Sequence, residues 1–481
     1  MRLVFLSSAL VMLLLVSIVP PASAAAPEWR SLEDMPEALT SFTTVELLDG
    51  RVLVSMGWDG GQVPSGETWI FDPTSGEWQA AADPPGSFMA ASGVAMPDGR
   101  VYIFGGLWLD QDAMTMNYQE EVLIYDVEED IWTSGAPRPE AVSMLEAAAL
   151  DEERILLVGG LDSGMMATAA CYIYDTVSDS FTATDDLLKP RVAGVALSYL
   201  GDVLYAGGSD SVSLVAMKEV FRYDASSGTW SLYGKMPEGR YYDEGAIGDD
   251  GLMYLYGGKT GATTDLTGTG TFRVVDMVDC SFITAPAPPV TVIGAGVVAT
   301  GDGWLMLFGG GQGNAPIASV SSLRLFERDA WIDDIECAPG EGVRVHAEVQ
   351  ANFVEHDSYS MDVLLIKNGT VLSTERMTAG RDESASVYLE VPEDLGPGSY
   401  EIMVRNVEFE AKGCDIAFPS LTVNVTEAPS PTDRIGELED QLAELRDELA
   451  GKMDAWVGYA ILVIVIISLG IMMISIRRKW W

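Results

Sequence analysis

The chain has 481 residues, 72 of them acidic against 28 basic, and a formal charge of −44. A field of that sign repels polyphosphate and anionic surfaces, which excludes nucleic-acid binding. Four cysteines are too few for a disulfide scaffold at this length. At the N-terminus, Arg2, an apolar run from Leu3 to Val19 and then Ala22-Ser23-Ala24 predict a secretory signal over residues 1–24.

From residue 25 to 330 the chain repeats itself. Apolar runs closing on paired glycines recur as Val101 to Gly106, Ile155 to Gly160, Val203 to Gly208, Met253 to Gly258 and Leu305 to Gly310. A degenerate copy runs from Val52 to Gly57, with Met56 in place of the first glycine. The second glycines fall at 57, 106, 160, 208, 258 and 310, a period near 50. Such a period marks a supersecondary block whose apolar faces are covered by its neighbours. Each glycine pair is followed by a strand tending to end in aromatic-Asp (Phe71-Asp72, Tyr125-Asp126, Tyr174-Asp175, Tyr223-Asp224, and weakly Val275-Asp276). A polar turn and then Trp78, Trp132, Phe181, Trp230 or Phe282 complete the unit.

Double glycine, Tyr-Asp and Trp in this order resemble the Kelch repeat, whose unit is a four-stranded propeller blade. The resemblance covers about Pro27 to Asp329 and implies an all-β, six-bladed Kelch-type β-propeller over 25–330. The Trp positions are expected to fill the gaps between blades. The N-terminal stretch Glu28 to Leu32 matches the outer-strand pattern of Glu77-Trp78-Gln79-Ala80. Trp29 or Trp331 could supply the last blade's outer strand, and Trp29 is preferred because it closes the ring without a covalent link.

Long loops on a rigid ring are where binding resides. The loops after the glycine pairs offer Trp58, Asp59, Trp108, Asp110, Asp112, Lys259, Gln312 and Asn314 as contacts. Arg191 and Arg240, the latter beside Tyr241, each lie ten residues after the repeat's aromatic, where Phe88, Val142 and Val292 stand in other repeats. Two such cations can grip a carboxylate or phosphate. The competing reading pairs them with local acids such as Asp243 or Glu244. The expected ligand set is therefore Arg191, Arg240, Tyr241, Trp58, Trp108, Asp110 and Lys259, with no catalytic residue, metal or cofactor assigned.

Kelch-type propellers include galactose oxidase-like copper enzymes, whose site needs histidine. The only histidines, His346 and His356, follow the repeats, so that chemistry is excluded. A second relative, the sialic-acid epimerase type, needs arginines and a general acid or base. It supplies the alternative of a tethered carbohydrate-processing enzyme, and no motif beyond the shared repeat favours it.

Past the repeats, alternating strands over 331–427 predict an Ig-like or fibronectin-like β-sandwich. Its signals are Val343 to Val349, a turn at Asn368-Gly369, and Leu395 to Tyr400 resembling a tyrosine corner. Cys337 and Cys414 could form a disulfide there, whereas Cys171 and Cys280 are expected to stay unpaired. Asn368 and Asn424 head glycan-acceptor triplets that also have turn and strand explanations. Residues 428–454 read as a Pro-containing linker and a short heptad seam at Ile435, Leu438, Leu442, Leu445 and Leu449. That seam makes either a weak coiled-coil stalk, and so a homo-oligomer through 435–449, or a monomeric spacer.

Residues 455–476 carry no charge and would cover about 33 Å as a helix, enough to span a bilayer. Arg477-Arg478-Lys479 then place the five-residue tail, 477–481, in the cytoplasm. The whole reads as a single-pass cell-membrane protein with its bulk extracellular. The expected function is recognition or adhesion, binding a protein or glycan through the propeller's loop face without catalysis.

Overall fold

The computed structural model describes residues 27–110, 115–210, 215–260, 271–313, 315–354, 358–380, 383–408, 416, 418–427, 440 and 443. The expected signal, the linker and stalk apart from residues 440 and 443, the span, the tail, Asp112, Asn314, His356 and Cys414 lie outside them. Among the described residues no helix is long and apolar enough to cross a membrane. The chain divides into two compact units, one centred on the residues up to Arg328 and one on those from Asp329.

The first unit is built of antiparallel four-stranded sheets laid down in chain order. Sheet I joins Thr43–Glu46, Val52–Ser55, Thr68–Asp72 and Glu77–Ala80. Sheet II joins Met89–Ala95, Arg100–Asp110, Glu121–Asp126 and Ile131–Pro137, with Thr115–Tyr118 added to its second strand. Sheet III holds Glu146–Ala149, Arg154–Val158, Cys171–Asp175 and Ser180–Ala183. Sheets IV and V share the long strand Thr229–Ile247, which pairs with Met217–Asp224 on one side and Met253–Lys259 on the other. Val195–Tyr199 and Asp202–Ala206 complete IV, while Phe272–Val275 and Phe282–Ile283 complete V. Sheet VI holds Gly296–Ala299, Trp304–Phe308 and Val320–Arg324, and its fourth strand is the N-terminal Arg30–Ser31. Arg30 pairs with Ser322 and Ser31 with Ser321. Trp331 lies instead in Phe326–Ile332, a strand of a different sheet. This succession of sheets is that of a β-propeller.

The repeated residues now have physical roles. The Asp of the aromatic-Asp motif caps the turn after the third strand: Asp72 accepts the amide of Thr74, Asp126 that of Glu129, Asp175 that of Ser178 and Asp224 that of Ser227. The aromatic beside it packs on the following strand's aromatic, with ring centroids 4.9 Å apart for Phe71–Trp78 and 5.0 Å for Tyr125–Trp132. The tryptophans also tie neighbouring sheets. Nε1 of Trp132 donates to Ala82 (2.7 Å), that of Trp29 to Pro286 (3.1 Å) and that of Trp78 to Glu33 (3.4 Å), each carbonyl lying on the preceding sheet's side. Cys171 and Cys280 are buried in separate apolar clusters, and burial pushes both thiols up to about 11.

The double glycine has a single cause. Its second residue donates its amide to the carbonyl of the residue ten places after the outer aromatic. The pairs are Gly57 to Phe88 (2.8 Å), Gly160 to Arg191 (2.9 Å), Gly208 to Arg240 (2.8 Å) and Gly310 to Leu39 (2.8 Å). The first glycine has positive φ and lies against the same carbonyl; a Cβ on Gly207 would sit 2.5 Å from Arg240 O. The fold uses that residue's backbone, which leaves its side chain free to vary.

In the second unit, Phe326–Ile332, Gly342–Ala351 and Ala385–Glu390 form one sheet. Glu336–Cys337, Leu421–Val425, Gly398–Glu408, Ser358–Lys367 and Thr370–Gly380 form another. Val343, Val345, Ala347 and Val349 are buried, as a half-buried strand requires. Asn368 and Gly369 both take positive φ (50° and 74°) in a two-residue hairpin turn. The Tyr400 hydroxyl donates to the Gly396 carbonyl at 2.7 Å, tying the corner ahead of its strand. Cys337 is buried, and Asn424 lies in the strand Leu421–Val425.

Candidate functional site

The first strand of each sheet faces a common channel of about 370 Å³. Its mouth is formed by Ser41, Ala90, Met144, Ala193, Tyr242 and Gly294, each twelve residues after its repeat's aromatic (29, 78, 132, 181, 230 and 282). All have φ between 52° and 58°. Their amides hand hydrogen bonds from one repeat to the next: Ala90 to Ser41, Met144 to Ala90, Ala193 to Met144, Tyr242 to Ala193, and Ser41 to Gly294, at 2.8–3.1 Å. Left-handed backbone at non-glycine residues costs free energy. Here it is held because Ser41, Ala90, Met144 and Ala193 each supply both a donor and an acceptor to this belt, and Tyr242 a donor.

Two residues deeper, a layer is formed by Thr43, Ser92, Glu146, Val195, Glu244 and Gly296. Each pairs across its sheet with the residue two before the second glycine, as Glu146 does with Val158 and Glu244 with Tyr256. Two of the channel's carboxylates, Glu146 and Glu244, therefore share one level. Burial, followed by the neighbouring Glu244 charge, raises the Glu146 carboxyl well above the usual range. The group is reached by water through the channel while protein encloses it. Glu46 lies three residues further along its strand, roughly 10 Å deeper. Burial, reinforced by Asp249 and Asp302, lifts it to about 7. Among the described residues no lysine, arginine or histidine lines the channel.

Neither Glu146 nor Glu244 belongs to the ligand set expected from the sequence, where Glu244 enters only as a possible partner of the arginines. Their signal was nonetheless present, since both stand fourteen places after a repeat tryptophan, Trp132 and Trp230.

The expected ligand residues fall into three groups. Arg240, Tyr241 and Lys259 come together: Tyr241 pairs with Lys259 across strands, and the Lys259 ammonium lies 5.9 Å from the Tyr241 ring and 5.8 Å from that of Tyr242. All three are buried. The Arg240 guanidinium donates to the carbonyls of Gly257 and Thr271 and to the Thr271 hydroxyl. Arg191, 2 % exposed, stands apart; its guanidinium reaches the Pro190 carbonyl (2.9 Å) and Glu219 (3.5 Å), which also pairs with Lys189. Both arginines thus brace the wall from inside. Trp58 is half-buried in the loop after the first repeat's glycine, and Trp108 is half-buried in the strand Arg100–Asp110 of the second. Trp58 donates Nε1 to the Gly61 carbonyl, while Trp108 pairs with Asn117 in a hairpin whose next register pair is Leu109 with Met116 and whose last is Asp110 with Thr115. Among the described residues no cluster of three His, Cys, Asp or Glu side chains could hold a metal ion.

No protein-family model matches the chain. It is 22% identical over 258 residues to Kelch-like protein terF of Aspergillus terreus, covering 49% of this chain and 53% of that protein. To Kelch-like protein 35 of Mus musculus it is 32% identical over 183 residues, covering 38% and 29%. The chain thus spans about half or less of these relatives. Among solved structures it is similar to one titled "Structure of YjhT", with a TM-score of 0.51 at 12% identity, covering 61% of this chain and 96% of that one. These likenesses support a Kelch-repeat β-propeller.

Proposed function

We propose that this Kelch-repeat propeller is a protein-binding module of six blades. On this reading it is carried on an Ig-like sandwich and held at the cell surface by the C-terminal apolar segment. The observation that supports it most is the joining of two loop sets at one end of the ring. The bonds from Gly57, Gly160, Gly208 and Gly310 hold the post-glycine and inter-blade loops together on a rigid frame. Low-identity likeness to Kelch-like proteins agrees with a binding role. The specific ligand class is an extracellular protein or a glycan.

The carbohydrate-processing alternative relied on Arg191 and Arg240 facing a substrate, and both guanidiniums are buried. Binding instead falls to half-buried side chains, with Trp58 and Trp108 foremost. The test probes glycan and cell-surface protein arrays with the full chain in detergent. A hit that weakens at least tenfold in Trp58→Ala, Trp108→Ala supports the reading. Catalysed anomeric exchange of a sugar acid, followed by NMR, would replace it with the enzyme.

A further inference from the structure

We infer that the axial channel holds an organic cation, an alkylammonium or guanidinium head seated between the carboxylates of Glu146 and Glu244. The cavity, about 370 Å³, has the size of a small-ligand site. Among the described residues, the charged groups lining it are the carboxylates of Glu46, Glu146 and Glu244. At the mouth, the belt amides of Ser41, Ala90, Met144, Ala193 and Tyr242 are committed to one another, so they offer no donors to an anion.

Glu146 carries the argument. Among the described residues its carboxylate makes no hydrogen bond and no ion pair, and the charge that acts on it is the like charge of Glu244. An enclosed carboxylate without a partner is costly, and a second one beside it raises the cost. A cation bearing several N–H donors removes both penalties at once.

A bare metal ion fits less well. Calcium and magnesium require about six oxygen ligands. On this layer the hydroxyls of Thr43 and Ser92 are already engaged, with the Ala91 carbonyl and the Ala147 amide. A guanidinium or ammonium needs only the two carboxylates. The same chemistry could arrive as a free amine or as a basic side chain of another protein. The site stands whether or not the loop face binds a partner.

The experiment titrates the full chain in detergent at neutral pH by calorimetry. One arm uses agmatine, the second an acetylated and amidated arginine tripeptide, and the third calcium chloride. Saturable one-to-one binding of agmatine or peptide is expected, with protons released to the buffer. It should weaken about tenfold or more in Glu146→Gln, Glu244→Gln. Tighter binding of agmatine identifies a free cation, and tighter binding of the peptide a side chain. The glutamines remove repulsion, so the variant should melt no lower than the parent, and a melting curve separates lost binding from lost fold. The single Glu146→Gln variant repeats the test if the double one melts early. Absence of heat with both organic probes overturns the site, as does unchanged affinity in the glutamine variants. Calcium binding that excludes agmatine also overturns it.

Discussion

The amide of Gly310 donates to the carbonyl of Leu39 at 2.8 Å, joining the last repeat to the segment ahead of the first. Gly57 bonds Phe88, Gly160 bonds Arg191 and Gly208 bonds Arg240 in the same way. The ring is thus held shut by the contact that holds each sheet to its neighbour, made once between the two ends of the repeat array. Trp29, ten residues before Leu39, belongs to the same closure through Pro286 and an edge contact with Phe272 at 5.2 Å. Trp29→Ala should therefore destabilise the first unit by about 2–3 kcal/mol, read as a lower urea midpoint. A midpoint unchanged within error would mean that the closing strand contributes nothing.

Arg240 offers a second measurement. Its guanidinium supplies donors to the buried Gly257 carbonyl and the half-buried Thr271 carbonyl, so Arg240→Ala should cost about 2–5 kcal/mol in chemical denaturation. An exposed ligand-binding arginine would cost almost nothing in stability. Neutral behaviour would return Arg240 to the ligand-binding set.

The belt predicts opposite effects of two small substitutions. Gly294 has φ 56°, and an added Cβ would lie 2.8 Å from Ser41 Oγ and 2.9 Å from its amide nitrogen. Gly294→Ala should destabilise by roughly 1–3 kcal/mol. Ala193, at φ 53°, already bears the left-handed strain, and Ala193→Gly should stabilise by up to about 1 kcal/mol. Urea midpoints moving in the same direction for both would refute the belt's geometry.

The channel acids set a pH dependence. Glu46 is raised from 4.5 to about 7 in the folded chain, burial being the main cause and Asp249 and Asp302 lesser ones. The folded state then binds more protons than the unfolded one between those values, so its contribution to stability is fully present below pH 4.5 and falls as pH rises to 7. The loss from this group is roughly 3 kcal/mol. Glu146 acts in the same direction, beside Glu244 and the Tyr205 ring. Glu46→Gln should raise the melting temperature most near pH 8 and least near pH 4.5. A gain that is equal at both values would mean that the carboxyl is not held above its usual range.

The sequence by itself determined the unit and its order. A strand ending in paired glycines, an aromatic-Asp and a tryptophan are local requirements of turn geometry and of the gap between sheets. They recur wherever the unit does, and Asn368-Gly369 and Tyr400 were legible for the same reason. Only the tertiary structure decided what Arg191, Arg240, Glu146 and Glu244 do. The arginines looked like ligand grips because their side chains depart from the repeat, yet it is their carbonyls that the glycines require. Their guanidiniums turn inward, to Glu219 and to the carbonyls of Gly257 and Thr271. Glu146 and Glu244 are 98 residues apart by number, 244 less 146. Closing the ring puts them on one level of one channel, and the repulsion between two enclosed charges exists only once that closure has brought them together.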